Sequence, residues 1–134
     1  MSVAHVYQTR VYYEDTDMAG IVYYANYLKF IERARSEAVE EAGVDQLAMK
    51  AEGVFFAVRR LEADYINAAR YGDVLSVSTY VTELKGASTR LHQLVTKSET
   101  RIFEAFVTLA CIRSDGRPVR FPAKTRASLS ALMA

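Results

Sequence analysis

Cysteine is almost absent from this chain: only Cys111 is present. A lone cysteine cannot close an internal disulfide, so packing must hold the fold, and a reducing cytoplasm is the expected setting. Cys111 lies within the apolar run 102-IFEAFVTLACI-112, where a small buried core residue is its ordinary role. A dominant charge is lacking too: 17 basic residues nearly cancel 16 acidic ones. That balance offers no broad basic field for DNA or RNA, so an anionic ligand would need a local cluster of cations. No apolar run approaches the roughly 20 residues that span a bilayer. The start, 1-MSVAHVYQTR-10, has no basic segment followed by an apolar one and does not read as a signal peptide. Phosphate-loop, dinucleotide and zinc signatures are all missing, as are repeats and low-complexity linkers. No metal and no separate cofactor are expected.

What is present is enough for one domain over residues 1–134, with 51% hydrophobic residues to build its core. Residues 3-VAHVYQTRVYY-13 read as a strand. A long helix is expected over about Tyr23 to Ala42, because Tyr27, Ile31, Ala34, Ala38 and Ala42 recur at three- and four-residue steps. Its opposite face carries Lys29, Glu32, Arg33, Glu37 and Glu41, and Gly43 supplies a stop. A short helix over 45-DQLAMKAE-52 follows. In 60-RLEADY-65, Leu61, Ala63 and Tyr65 alternate with charged residues, which predicts a strand with one buried face. Strands over 74–84, 89–98 and 102–113 come next, the last apolar on both faces and therefore central. Pro122 can open a C-terminal helix. The order of strand, long helix and four strands predicts an α+β fold with an antiparallel sheet curled around the helix. Open edge strands make pairing with a second copy plausible.

The segment 13-YEDTDMAGIVYYANY-27 joins the first strand to the long helix and carries the chemistry. A helix start offers unpaired N–H groups and a positive dipole end, which together can stabilise an oxyanion. A carboxylate beside it can attack a carbonyl or activate water. On spacing alone, Asp15 and Asp17 are equivalent, and capping or turn-building is the commonest work for either. Gly20 suits a turn, and Tyr23, Tyr24 and Tyr27 suit a core or an interface. His5 and His92 belong to no recognisable catalytic arrangement.

The segment 12-YYEDTDMAGIVYYANYLKFIERARSE-37 resembles the 4-hydroxybenzoyl-CoA thioesterase family of the hotdog fold. Within that family, YYEDTD and FIERAR are most similar to the acyl-CoA thioesterases encoded with the Tol-Pal envelope system. The resemblance continues through 54-VFFAVRRLEADYINAARYGDVL-75. It implies a homodimer with sheets joined edge to edge, often paired again into a homotetramer, and active sites at the dimer interface. It implies hydrolysis of an acyl-CoA, with coenzyme A as part of the substrate. Asp17 matches the catalytic carboxylate, acting as nucleophile or general base, and the backbone N–H of Tyr24 matches the oxyanion donor. Asp15 matches a non-catalytic position. Tyr13 matches a tyrosine near the site, and Gly20 gives the turn that lets the thioester approach.

The Tol-Pal type often has histidine where this chain has Tyr24, and 22-VYYANY-27 is closer to the hydroxybenzoyl pattern. A backbone role survives that change; a histidine side-chain role does not. Arg59, Arg60 and Lys85 are candidates for the phosphates of coenzyme A, with Ser88 as a phosphate or pantetheine contact. Two other readings stay open: a weakly catalytic assembly protein associated with inner-membrane or envelope proteins, and an acyl-carrier-protein thioesterase.

Overall fold

A computed structural model describes residues 5–133. Residues 1–4, where the expected first strand begins, and residue 134 lie outside it.

The long helix, α1, spans Asn26–Glu41. Tyr27, Ile31, Ala34 and Ala38 of the expected stripe are buried, joined by Phe30 and Val39. Its end is set by Gly43 at φ +105°. The Gly43 N–H donates to the Glu40 carbonyl at 3.0 Å and the Val44 N–H to that of Val39 at 2.9 Å, the paired bonds of a left-handed helix stop. The start falls later than the sequence pattern predicts. Leu28 N–H donates to the Ala25 carbonyl at 3.2 Å, while the Tyr24 carbonyl accepts the hydroxyl of Tyr65 at 2.9 Å. A short helix, α2 (Gln46–Ala51), begins at Asp45, whose side chain accepts the Ala48 N–H.

Five strands form one antiparallel sheet: β1 (His5–Arg10), β2 (Val54–Tyr65), β3 (Val74–Leu84), β4 (Ser88–Lys97) and β5 (Thr100–Arg113), in the order β1-β3-β4-β5-β2. The last strand is interior, as its two apolar faces predict. The first ends at Arg10 rather than Tyr13, because Tyr13–Asp15 turn as a single 3-10 coil. Register shifts leave Arg59 as an extra residue on β2 and Thr82 on β3. Such bulges bend a strand and increase its twist, which helps the sheet curve around α1. A final helix, α3 (Ala123–Ala131), starts after Pro122.

The core lies between α1 and the sheet, where Ile31 and Ala34 join Leu75, Val77, Leu91 and Val107 in one cluster. Cys111 is fully buried in a second cluster with Val39 and Leu129.

One expectation fails. The predicted buried face of 60–65 is not buried: Leu61 is 39% and Tyr65 50% exposed. β2 is longer than expected and forms one of the sheet's two outer strands, bonded among the described residues only to β5. α1 packs mainly toward the opposite edge, over β1 and β3, so among the described residues this end of β2 is only partly covered.

Candidate active site

The loop between β1 and α1 treats its two aspartates differently. The Asp15 carboxylate accepts the Tyr12 N–H at 2.9 Å. Its carbonyl accepts the Tyr23 N–H at 2.9 Å and the Asn26 side-chain amide at 3.0 Å. Asp15 is therefore occupied with holding the loop to the helix start. Asp17 lies two residues on, with an exposed side chain. Its Oδ1 accepts the Ala19 N–H at 2.9 Å, and Oδ2 has no protein partner among the described residues.

The turn at Asp17 is tightly built. The Gly20 N–H donates to the Asp17 carbonyl at 3.0 Å, and the Asp17 N–H donates to Ile21 at 2.9 Å. Gly20 sits at φ +79°, and a side chain there would meet nothing within 4 Å. Conformation, not crowding, requires the glycine. Residues 15–17 thus run antiparallel to 21–23, with Thr16 bridged to Val22, and the chain then enters α1.

That helix start is uncapped. Ala25 occupies the N-cap position without a side-chain hydrogen bond, and among the described residues no protein acceptor takes the Tyr24 N–H. Beside it lies a pocket of about 340 Å³ lined by residues including Ile21, Val22, Tyr24, Tyr27, Tyr65 and Ile66. Its aromatic wall continues inward: Tyr27 meets Tyr65 edge-on at 5.7 Å and stacks on Phe103 at 5.0 Å. Burial raises the Tyr27 phenol above its ordinary value. Tyr13 is 84% exposed on the same loop and does not line this pocket.

The candidate cations separate into two groups. Arg59, Lys85 and Ser88 share a small pocket of about 70 Å³ with Glu83, Thr89 and Arg90. Arg59 reaches it from the β2 bulge, and Lys85 and Ser88 from the β3–β4 turn, which the Lys85 N–H closes on the Ser88 carbonyl at 2.8 Å. Arg60 does not join them; it pairs with Glu62 at 3.0 Å. Arg90 belongs to no sequence motif; the signal for it is its alternation with the buried Thr89 and Leu91 of β4. It lies over the Phe106 ring at 4.2 Å. The two histidines line neither pocket: His5 Nε2 lies 2.9 Å from the Glu41 carboxylate and His92 Nε2 2.7 Å from that of Glu104.

A larger cleft of about 400 Å³ opens between α1 and the uncovered part of β2, lined by residues including Leu28, Ile31, Arg35, Phe56, Val58 and Leu61. Among the described residues, no three His, Cys, Asp or Glu side chains converge as a metal site. No described helix is long and apolar enough to cross a membrane.

Residues 11–129 match the sequence profile of the Thioesterase-like superfamily. The chain belongs to this superfamily. With the relatives that follow, this makes it a thioester hydrolase with a hotdog fold. An acyl-CoA thioesterase, YbgC, of Haemophilus influenzae is 38% identical over 124 residues, which is 91% of each chain. An Escherichia coli acyl-CoA thioester hydrolase, also YbgC, is 41% identical over 77% of this chain and 78% of its own. The crystal structure of a probable thioesterase from Bartonella henselae superposes with a TM-score of 0.80 at 36% identity, covering 89% of this chain and 98% of that one. The strand order and the helix inside the sheet are thus those of a thioesterase-like domain.

Proposed function

We propose that this chain hydrolyses an acyl-CoA thioester to a free carboxylic acid and coenzyme A, with Asp17 as the reacting carboxylate. The observation that carries the reading is that one short loop holds an exposed, half-free Asp17 carboxylate and leads into an uncapped helix start where, among the described residues, the Tyr24 N–H has no acceptor. Charge develops on the thioester oxygen as the carbonyl is attacked, and the Tyr24 N–H and the α1 dipole stabilise it. The Asp17 carboxylate either attacks the carbonyl carbon and forms an anhydride that water opens, or takes a proton from the attacking water. Both routes consume one water and release the thiol. The exposed Gly20 turn leaves the approach to this backbone clear.

Arg59, Lys85, Ser88 and Arg90 supply cations and a hydroxyl for the phosphates of coenzyme A. Arg59 and Tyr65 are six residues apart on β2, roughly 20 Å along a strand. A ligand reaching from one pocket to the other must be long, and coenzyme A has that form, with a nucleotide on an extended pantetheine arm. The partner protomer completes the site: the uncovered β2 edge pairs with its counterpart and buries Val58 and Leu61, and two such dimers join as a tetramer. The chain works in the cytoplasm, with envelope proteins as peripheral partners.

A panel of short, long and aromatic acyl-CoAs, followed by free-thiol release, tests the reading. Turnover on at least one is expected. No turnover on any, with a stable envelope-protein complex recovered from cells, would replace it with an assembly role. Faster turnover of the carrier-protein-linked form of the best acyl group would move the substrate to acyl carrier protein.

A further inference from the structure

A helix beginning at Tyr23, as the apolar pattern predicts, would direct the Leu28 N–H to the Tyr24 carbonyl four residues back. That bond is missing. The Tyr65 hydroxyl occupies the Tyr24 carbonyl at 2.9 Å, and Leu28 turns to Ala25 instead. The donor comes from a residue 41 positions away, at the C-terminal end of the outer strand β2. Its ring is fixed by edge-on contacts with Tyr27 at 5.7 Å and Phe103 at 5.0 Å. Burial, reinforced by the nearby Tyr24, raises the Tyr65 phenol above its ordinary value, so the group stays protonated and able to donate. Asn26 works from the other side by holding the Asp15 carbonyl at 3.0 Å.

From this geometry we infer that Tyr65 is a positioning residue: its hydroxyl holds the Tyr24 carbonyl out of α1, sets where the helix begins, and so fixes the place of the Tyr24 backbone that offers its N–H to the reacting carbonyl. The inference rests on the thioesterase reading only for its consequence in catalysis. The effect on the helix start stands apart from it.

The test is Tyr65→Phe, which keeps the ring and its contacts and removes one hydroxyl. Two readouts are taken on the same protein. Amide hydrogen exchange by NMR is expected to show Leu28 more protected in the variant, as its N–H recovers the Tyr24 carbonyl. Steady-state hydrolysis of the best acyl-CoA is expected to show kcat about tenfold lower and KM within about twofold, at an unchanged melting temperature. Unaltered Leu28 exchange overturns the inference, and so does a kcat within twofold of the parent. Asp17→Asn is run alongside. If the parent and Asp17→Asn are equally inactive on every acyl-CoA, the thioesterase reading fails, and the exchange result alone decides whether Tyr65 sets the helix start.

Discussion

Arg35 of α1 donates to the side-chain oxygen of Gln93 on β4 at 3.1 Å, at the edge of the core. The same Gln93 amide donates to the Ile31 carbonyl at 2.8 Å and to the Thr79 hydroxyl at 2.9 Å. One fully buried side chain therefore ties the helix to two strands. Burial lowers the Arg35 guanidinium from its ordinary value, while Glu32 works to raise it. Replacing Gln93 by leucine keeps the volume but leaves Arg35 and Thr79 without this partner. The expected loss is about 3 kcal/mol in urea unfolding. A loss under about 1 kcal/mol would mean that the network relaxes onto water.

The hydrogen bond between Glu104 and His92 should appear in the acid limb of stability. The hydrogen bond from His92 is the main cause that holds the Glu104 carboxyl below its ordinary 4.5, with burial opposing and Arg101 assisting. A carboxylate held low stabilises the fold fully above its unfolded pKa and loses that contribution as pH falls through the folded value. Glu104→Gln should therefore cost about 1–2 kcal/mol at pH 7. The gap from the parent should close as pH drops below 4.5. Denaturant unfolding between pH 3 and pH 7 provides the check, and a gap that does not change with pH would contradict it.

How much of this was legible in advance differs by element. The stripe Tyr27, Ile31, Ala34 and Ala38 gave the buried face of α1 because helix burial is periodic and local. The helix start was not legible, since nothing in residues 23–25 opposes helix and the competing hydroxyl of Tyr65 lies on a distant strand. β2 begins at Val54, earlier than its alternation predicts, because 54-VFFAV-58 is uniformly apolar and shows no alternation. Its alternation at Leu61 and Tyr65 is visible, but the face it marks is left partly exposed among the described residues. Spacing made Asp15 and Asp17 equivalent. Only the hydrogen bonds show Asp15 tied to Tyr12 and Asp17 half free. The exclusion of Arg60 follows the bulge at Arg59, and the place of Arg90 follows the pairing of β4 with β3 and β5; sequence alternation locates neither.

The basic pocket makes a prediction about which part of the substrate it holds. Alanine at both Arg59 and Lys85 removes two cations from the pocket they share. With coenzyme A as carrier, KM should rise about tenfold at unchanged kcat, the pattern of lost uniform binding. With the same acyl group on pantetheine, which lacks the nucleotide, the variant and parent should agree. Equal losses on both substrates would place the effect elsewhere than phosphate binding.

Asp17 is the central residue of the proposed reaction. Its Oδ1 accepts the Ala19 N–H at 2.9 Å, and the amide oxygen of asparagine can accept the same bond, so Asp17→Asn should leave the turn and the melting temperature unchanged. Asparagine can neither attack a thioester as a carboxylate does nor take a proton from water. The most direct measurement is kcat of Asp17→Asn on the best acyl-CoA, followed by thiol release. A fall of about a thousandfold or more in a folded protein is the expected result; turnover near that of the parent would contradict the assignment of Asp17 as the reacting carboxylate.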